Sequence, residues 1–308
     1  MKKLKFPKQA NNPEKRDGKS DSCQTSGECI SQYKEDEQKR KLKLKMDKIK
    51  HKIAVISGKG GVGKSTVTVN LAVAFALYGH NGKVGILDAD IHGPCVPKML
   101  GLKGQKLIGG PGGLLFPVTG RLGIKVASMD FLLPTDEAPV IWRGPLKMRA
   151  LQQFLSDVAW GELDFLLIDL PPGTGDEPLS IMQLIPDMDG VIIVTLPSEV
   201  SEAVVKKSVT FAKQLGIPVI GVIENMSGFV CPECGAKIDI FKTGSGKRIA
   251  DSMSITYLGA IPIDSQICND SDSGLAFVAE NQNSPATNAF AEIVKKIEQF
   301  LENTEPSK

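Results

Sequence analysis

The chain has 308 residues, of which 42% are hydrophobic and 23% charged, which suits one large α/β domain or two small ones. Its formal net charge is only +2 and aromatic residues make up 6%, so nucleic acid is disfavoured as a partner. No run approaches the ~18 apolar residues that cross a membrane, and the N-terminus lacks the apolar segment of a secretory signal. We therefore expect a cytoplasmic protein with no membrane association and with reduced cysteines.

The first 50 residues differ from the rest of the chain in charge. They carry 15 Lys or Arg and eight Asp or Glu, a net charge of +7, whereas the remaining residues carry a net charge of −5. Apolar spacing begins only near Leu42, so residues 1–50 are predicted to form a basic, largely disordered tail, a solvated arm rather than a docking segment. Within this tail, Cys23 and Cys29 are equally consistent with metal binding and with exposed, uncommitted thiols.

A glycine-rich loop follows the first predicted strand, 52–57, and precedes a predicted helix at 64–79. The loop fits the pattern G-x-x-x-x-G-K-S of the phosphate-binding P-loop, and its nucleotide-binding residues are Gly58, Lys59, Gly60, Gly61, Val62, Gly63, Lys64, Ser65 and Thr66. Residues 58–63 also fit the dinucleotide pattern G-x-G-x-x-G, with Asp88 placed for a ribose. Lys64 and Ser65 favour the P-loop, because a dinucleotide site needs neither of them. Lys64 is predicted to reach the β- and γ-phosphates of ATP, and the Ser65 hydroxyl to bind Mg²⁺.

Two later strands end in carboxylates. Asp88 and Asp90 follow the predicted strand 83–88, where they can orient a water near the γ-phosphate, although an aspartate here can also be a simple helix cap. Asp169 ends the apolar run 164–169 in a Walker-B arrangement, which predicts a place in the Mg²⁺ shell. The Pro-Pro-Gly-Thr-Gly loop that follows is stiff and then pliable, which suits a switch that senses the γ-phosphate.

Strand and helix patterns alternate along residues 51–302. This order predicts a single α/β domain with a doubly wound, mostly parallel sheet flanked by helices, followed by a short tail at 303–308. The predicted strands are 52–57, 83–88, 124–129, 164–169, 190–195, 218–223 and 256–260. The predicted helices are 64–79, 145–157, 177–185, 199–215, 244–252 and 287–302. The last helix has apolar residues at helical spacing and mixed charges, so we expect it to pack on the sheet rather than on a membrane surface.

A C-x-x-C pair, Cys231 and Cys234, lies in the loop predicted at 225–241. Thiolates at this spacing bind one side of a tetrahedral metal or an iron–sulfur cluster, but two of them make only half a site. Either a second copy of the chain completes the site or the pair is a redox dithiol. The residues after the pair are typical of an extended ribbon rather than of the helix that a redox motif precedes, which favours the metal half-site.

The other cysteines and the histidines have no partner at a metal-binding spacing. Cys95 and Cys268 are predicted to be packed thiols in the interior. The three histidines, His51, His80 and His92, are isolated along the chain, so no ligand role is expected for them.

Several of these motifs together resemble one known family. Lys59 resembles the signature lysine of the deviant P-loop (SIMIBI-type) group that includes MinD, ParA, ArsA and the nitrogenase iron protein. Within that group, the motifs at 88–94, 142–145, 169–176 and 224–227 are similar to those of the Mrp/ApbC branch of iron–sulfur cluster scaffold or carrier ATPases. The similarity runs from about residue 51 to 280.

The resemblance implies a slow ATPase that works as a homodimer. It implies that Lys59 reaches the partner's nucleotide, that Asn225 contacts adenine, and that Asp88 positions a water. It also implies that Cys231 and Cys234 of two chains hold one 4Fe–4S cluster, which passes to apo-proteins. The tail departs from the family pattern, because some members carry four N-terminal cysteines and only two are present here.

Three other interpretations stay open at this point. A positioning ATPase of the MinD/ParA kind would need a basic amphipathic terminus or a basic body, and would leave Cys231 and Cys234 unexplained. A non-catalytic nucleotide-binding regulator is disfavoured by the presence of Lys64, Ser65, Asp88 and Asp169. A zinc-bridged dimer uses the same thiolate pairs as a cluster, so the sequence does not separate Zn²⁺ from iron and sulfide.

Overall fold

The centre of the fold is a mostly parallel β-sheet. The computed structural model describes residues 37, 39–132, 151–152, 154–231, 234–240 and 243–304. Its strands are β1 Ile49–Ile56, β2 Val84–Asp88, β3 Ile108–Gly109, β4 Leu115–Phe116, β5 Val118–Thr119, β6 Lys125–Ser128, β7 Leu163–Asp169, β8 Gly190–Thr195, β9 Val219–Glu224, β10 Phe229–Val230, β11 Lys237–Ile238 and β12 Tyr257–Ala260.

The strand order of the sheet places β1 near its middle. Among the described residues the main sheet has eight strands in the order β12-β9-β8-β1-β7-β2-β6-β5. Only the β5–β6 pair is antiparallel. Because the other strands run the same way, the loops that follow β1, β2, β7, β9 and β12 meet at one edge, where ligands bind in open α/β sheets. Two short ribbons, β3–β4 and β10–β11, stand apart from this sheet.

Helices cover both faces of the sheet. They are α1 Lys64–Leu77, α2 Val96–Met99, α3 Asp176–Leu184, α4 Glu199–Gln214, α5 Ser245–Met253, α6 Ser265–Ser273, α7 Phe277–Glu280 and α8 Pro285–Thr304. Every residue of β2 and β8 is buried, which explains why both strands are apolar up to their last residue. The predicted doubly wound architecture is therefore confirmed.

One layer consists of α1 together with α7 and α8. Residues 67–76 of α1 are all buried, because the helix lies between the sheet and these two neighbours. The apolar stripe of α8 packs into the same core, as expected, through Phe290, Ile293, Val294, Ile297 and Leu301. In the part of the chain that the structure describes, no helix has the length and apolar character needed to cross a membrane.

Several predicted features differ from the structure or lie outside the described residues. Residues 39–46 are helical and bury Leu42 and Met46 against the sheet, so regular structure begins before residue 51. The prediction that Cys95 and Cys268 are packed in the interior was wrong: both are exposed, because they lie in segments at the loop edge of the sheet. Cys23, Cys29, the motif at 142–145 and residues 145–150 and 153 of the predicted helix are not among the described residues.

Candidate nucleotide site and cysteine hairpin

The loop between β1 and α1 has the backbone of an anion cradle. Gly61 and Gly63 adopt positive φ angles of 75° and 76°. Among the described residues, no protein acceptor takes the backbone N–H groups of 60–63, and α1 begins directly after them at Lys64. A Cβ on Gly63 would lie 2.3 Å from Nδ2 of Asn225, so only glycine fits there. Free N–H groups at a helix start bind phosphate oxygens, so this loop fits the phosphates of a nucleotide.

Asp169 collects three donors from the first two turns of α1. Its Oδ1 accepts hydrogen bonds from the ammonium of Lys64 at 2.6 Å and the hydroxyl of Thr68 at 3.0 Å. Its Oδ2 accepts from the Ser65 hydroxyl at 2.5 Å. The carboxylate is fully buried and Lys64 is 6% exposed. A carboxylate beside a hydroxyl is the hard-oxygen donor set that Mg²⁺ prefers, so Ser65 and Asp169 fit the metal of an Mg·nucleotide.

Asp88 lies next to Asp169 in the sheet and is also fully buried. Its Oδ2 accepts from the Ser128 hydroxyl at 3.1 Å and from the Val96 N–H at 3.3 Å. Burial, followed by the charge of Asp169, raises the pKa of Asp88 well above its ordinary value. A carboxylate whose pKa is raised is a stronger base than an ordinary aspartate, so Asp88 is suited to accept a proton beside the phosphate site.

Asp90 has a different environment from Asp88. Its Oδ1 accepts the N–H groups of His92 and Gly93, each at 3.2 Å, and so shapes the turn after β2. Nearby, partial burial and then the charge of Asp88 raise the pKa of Cys95, whose thiol donates to the carbonyl of Gly93 at 2.9 Å. Cys95 is therefore held as a protonated thiol of the turn.

The two predicted switch loops join the P-loop and each other. The N–H of Gly173 donates to the carbonyl of Ser57 at 2.7 Å, which ties the loop after β7 to the start of the P-loop. His92 lies 3.1 Å from a carboxylate oxygen of Glu177 and so links the loop after β2 to the start of α3. The other histidines pair with carboxylates far from this edge. The shortest of these contacts joins His80 to Asp164 at 2.8 Å. No histidine among the described residues takes part in a metal-binding group.

Asn225 lies beside the P-loop at the end of β9. Its side-chain amide donates to the carbonyl of Val62 at 2.9 Å. A cavity of about 520 Å³ opens next to it. The cavity is lined in part by Gly63, Thr66, Asn225, Met226, Asp264 and Ile267. Its size and its position beyond the phosphate cradle fit a base and ribose.

Lys59 is half-buried in the P-loop. The Ser57 hydroxyl donates to its backbone carbonyl at 3.0 Å. Within the described ranges, no carboxylate lies at ion-pair distance from its ammonium group. The charge of Lys59 is thus not compensated by the described part of its own chain.

Cys231 and Cys234 lie where the two strands of a short antiparallel ribbon, β10–β11, are joined. We call the described part of this segment, residues 228–231, 234–240 and 243, the cysteine hairpin. Cys231 is half-buried and Cys234 exposed. The N–H of Cys231 donates to Ala236 and the N–H of Gly235 to Cys231, both at 2.9 Å, which closes the turn. The strand after the pair confirms the expected extended ribbon. No group of three or more metal-binding side chains occurs in the described residues, so within them the two thiols make only half of a site.

The sequence analysis placed Glu224, the last residue of β9, in a family motif but assigned no role to it. This carboxylate is 1% exposed. It accepts four hydrogen bonds, from the Ser227 hydroxyl at 2.5 Å, the Gly244 N–H at 3.0 Å, the Ser245 hydroxyl at 3.1 Å and the Gly246 N–H at 2.5 Å. An acid that ends an apolar strand, as Asp88 and Asp169 do, is the sequence signal that could have identified it.

Known proteins match most of this chain. A family model described as NUBPL iron-transfer P-loop NTPase matches residues 48–298. An iron–sulfur cluster carrier protein of Methanocaldococcus jannaschii is 54% identical over 287 residues, which cover 93% of this chain and 97% of the relative. A protein of the same name from Saccharolobus solfataricus is 52% identical over 257 residues, covering 83% and 86%.

Solved structures resemble the fold as well. A nucleotide-binding protein of Archaeoglobus fulgidus in complex with ADP is 44% identical, with a TM-score of 0.70 over 80% of this chain and 94% of that one. The cell division ATPase MinD of Pyrococcus furiosus is 24% identical, with a TM-score of 0.57 over 81% and 99% of the two chains, and shares the fold.

Proposed function

Because this chain belongs to the family of NUBPL iron-transfer P-loop NTPases, we propose that it is an ATP-hydrolysing carrier of a labile 4Fe–4S cluster. The observation that carries the proposal is the combination, in one chain, of a nucleotide site around Lys64 and Asp169 with a thiol pair, the half-buried Cys231 and the exposed Cys234. The relatives named above as iron–sulfur cluster carrier proteins, at 54% and 52% identity, support it.

In the nucleotide step, Mg·ATP binds with its phosphates on the N–H groups of the P-loop. Lys64 turns from Asp169 to the β- and γ-phosphates. Ser65 and Asp169 would hold the Mg²⁺ of the nucleotide, which would supply positive charge beside the phosphates. Asp88 positions the attacking water and receives its proton, for which its raised pKa suits it. Asp90 shapes the loop that carries this carboxylate, and Asn225 lies at the base cavity.

In the cargo step, two copies of the chain each supply Cys231 and Cys234 to one cluster. Four thiolates complete the coordination of a 4Fe–4S cluster, which two thiols in one chain do not. A homodimer also gives the uncompensated Lys59 a partner, since it can reach the phosphates bound to the other copy.

Delivery to an apo-protein is a ligand exchange. Each iron–thiolate bond to the carrier breaks as a bond to a thiolate of the recipient forms, and the iron and sulfide of the cluster pass over without net oxidation or reduction. Loss of the γ-phosphate releases the loops after β2 and β7, and this change gates loading or release.

Anaerobic reconstitution with iron and sulfide tests the proposal. We expect a broad visible absorbance and about four iron and four sulfide per dimer, lost in Cys231→Ala and Cys234→Ala. Cys95→Ala and Cys268→Ala are matched controls, because these exposed cysteines lie outside the cysteine hairpin, and both should keep the cluster. A wild-type protein that binds only zinc, or a hairpin variant that still holds and delivers a cluster, would refute it.

A further inference from the structure

The buried carboxylate of Glu224 closes the base of the cysteine hairpin. Two of its donors belong to Ser227 and Gly244, the residues that immediately precede and follow segment 228–243. Two more, from Ser245 and Gly246, fix the start of α5 to the same carboxylate. No Lys, Arg or His of the described residues lies at ion-pair distance from Glu224, so within that part of the chain its burial is compensated by neutral donors. Both ends of the hairpin are therefore held at one point.

The next residue along the chain connects that point to the nucleotide site. Asn225 donates to the P-loop carbonyl of Val62 at 2.9 Å and approaches Gly63 closely enough to exclude a Cβ. Met226 then adopts a positive φ of 54°, a strained backbone for a residue with a long side chain, and it lines the base cavity. A shift of the P-loop or of a bound base thus acts directly on the segment that leads into the hairpin.

A second connection runs through the strand that continues β12. The N–H of Ser227 donates to Ile261 at 2.9 Å, and the N–H of Ile263 donates to Gly228 at 2.8 Å. The residue after Ile263 is Asp264, which lines the base cavity and caps α6. The first residues of the hairpin and one wall of the base cavity therefore form a single hydrogen-bonded unit.

We propose that Glu224 is a positioning residue that couples the nucleotide site to the cysteine hairpin, so that nucleotide occupancy sets the accessibility of Cys231 and Cys234. This regulation rests on the proposed function, because it assigns the carrier's ATP site control over its cargo thiols. By linkage, the coupling is reciprocal: whatever binds the thiols changes the affinity for nucleotide by the same factor.

Cysteine alkylation of the full-length, reduced, cluster-free chain tests the coupling. A pulse of iodoacetamide is applied with and without saturating Mg·ADP or a non-hydrolysable Mg·ATP analogue, and each cysteine is quantified by mass spectrometry. Cys268 lines the base cavity, so its protection reports occupancy independently of the hairpin. In wild-type protein we expect nucleotide to change the alkylation rate of Cys231 or Cys234 about fivefold or more.

The decisive variant is Glu224→Gln, which keeps the size of the side chain but places an NH₂ group against donors that need an acceptor. In this variant nucleotide should leave the alkylation rates of Cys231 and Cys234 nearly unchanged, while Cys268 stays protected. Glu202→Gln is the matched control: it removes a carboxylate that binds α5 through Arg248 but does not close the hairpin, so it should keep the wild-type effect.

A second variant decides the matter if Glu224→Gln loses nucleotide binding or stability. Ser227→Ala removes one hydroxyl donor at the hairpin base and should lower the nucleotide effect. The proposal is overturned if nucleotide leaves the alkylation rates of Cys231 and Cys234 unchanged in wild-type protein, or if Glu224→Gln keeps the full nucleotide effect on those rates. Where Glu224→Gln cannot be used, the proposal is overturned if Ser227→Ala keeps the full effect. The alkylation assay contains no iron, so its outcome does not depend on cluster binding. A failure to bind a cluster in the reconstitution experiment would refute the carrier function without changing the result of this assay.

Discussion

The buried pair of Lys64 and Asp169 gives the sharpest prediction for the protein without nucleotide. Their 2.6 Å contact lies in the interior, with the carboxylate fully buried and Lys64 only 6% exposed. Removing one partner of such a pair leaves a buried charge uncompensated, which costs about 3 kcal/mol or more. Asp169→Asn should therefore lower the free energy of unfolding by about 3 kcal/mol, since it leaves the ammonium facing a neutral amide.

The reverse change should cost less. In Lys64→Met the carboxylate keeps the hydroxyl donors of Ser65 and Thr68, each worth about 1 kcal/mol net, so we expect a loss of about 2 kcal/mol. The double variant leaves no uncompensated ammonium. Its loss of unfolding free energy should therefore be about 2 kcal/mol smaller than the sum of the losses in the two single variants.

Urea unfolding in EDTA without nucleotide measures all four proteins of this cycle. With Mg·ADP the coupling energy should shrink, because Lys64 then donates to phosphate instead of to Asp169. Single losses that add to within about 0.5 kcal/mol in EDTA would refute the reasoning, because they would show that the two charges do not depend on each other.

Three further predictions concern the site and the core. Asp88→Asn should slow hydrolysis yet raise stability. Burial, followed by the charge of Asp169, raises the pKa of Asp88, so above about pH 4 the folded protein retains a proton that the unfolded chain has lost. The gain in stability should therefore grow as the pH rises from about 4 toward the raised pKa; urea unfolding across pH checks this, and a gain independent of pH would contradict it. Gly63→Ala should weaken nucleotide binding about tenfold or more, as measured by titration. Gly82→Ala is the control: Gly82 has a similar φ of 71° but open space at its Cβ, so this variant should keep the wild-type affinity. Phe290→Ala should cost about 3 to 5 kcal/mol in urea unfolding because it empties a site in the core that is 1% exposed; a loss under about 1 kcal/mol would show that α8 does not depend on that contact.

Local patterns were enough to predict the nucleotide loop and the parallel strands of the sheet, but not the antiparallel edge strand β5. The strand, loop and helix around Lys64 carry their whole signal within thirty residues, and Asp169 ends an apolar run that the parallel sheet requires. The predicted strands 190–195 and 164–169 match β8 and β7 to within one residue. Such elements are predictable because burial on both faces leaves only an apolar strand sequence.

Other features depend on contacts between distant parts of the chain. The role of Glu224 arises from donors at 227 and 244–246, which no local pattern connects. α6 has no apolar periodicity, and only its N-cap Asp264 and the glycine that ends it, Gly274 at a φ of 74°, mark it in the sequence. The burial of Cys95 and Cys268 was predicted wrongly because the exposure of a cysteine depends on where its segment lies in the folded chain.

The burial of α1 on all sides has a consequence for motion. Ten consecutive residues, 67–76, have no solvent-facing side, so this helix cannot shift without opening the layer formed with α7 and α8. Its amide protons should exchange with deuterium only on global unfolding, whether or not nucleotide is bound, while those of the loops after β2, β7 and β9 exchange faster. α1, which begins beside the phosphate-binding loop, therefore stays in place during the catalytic cycle while those loops move.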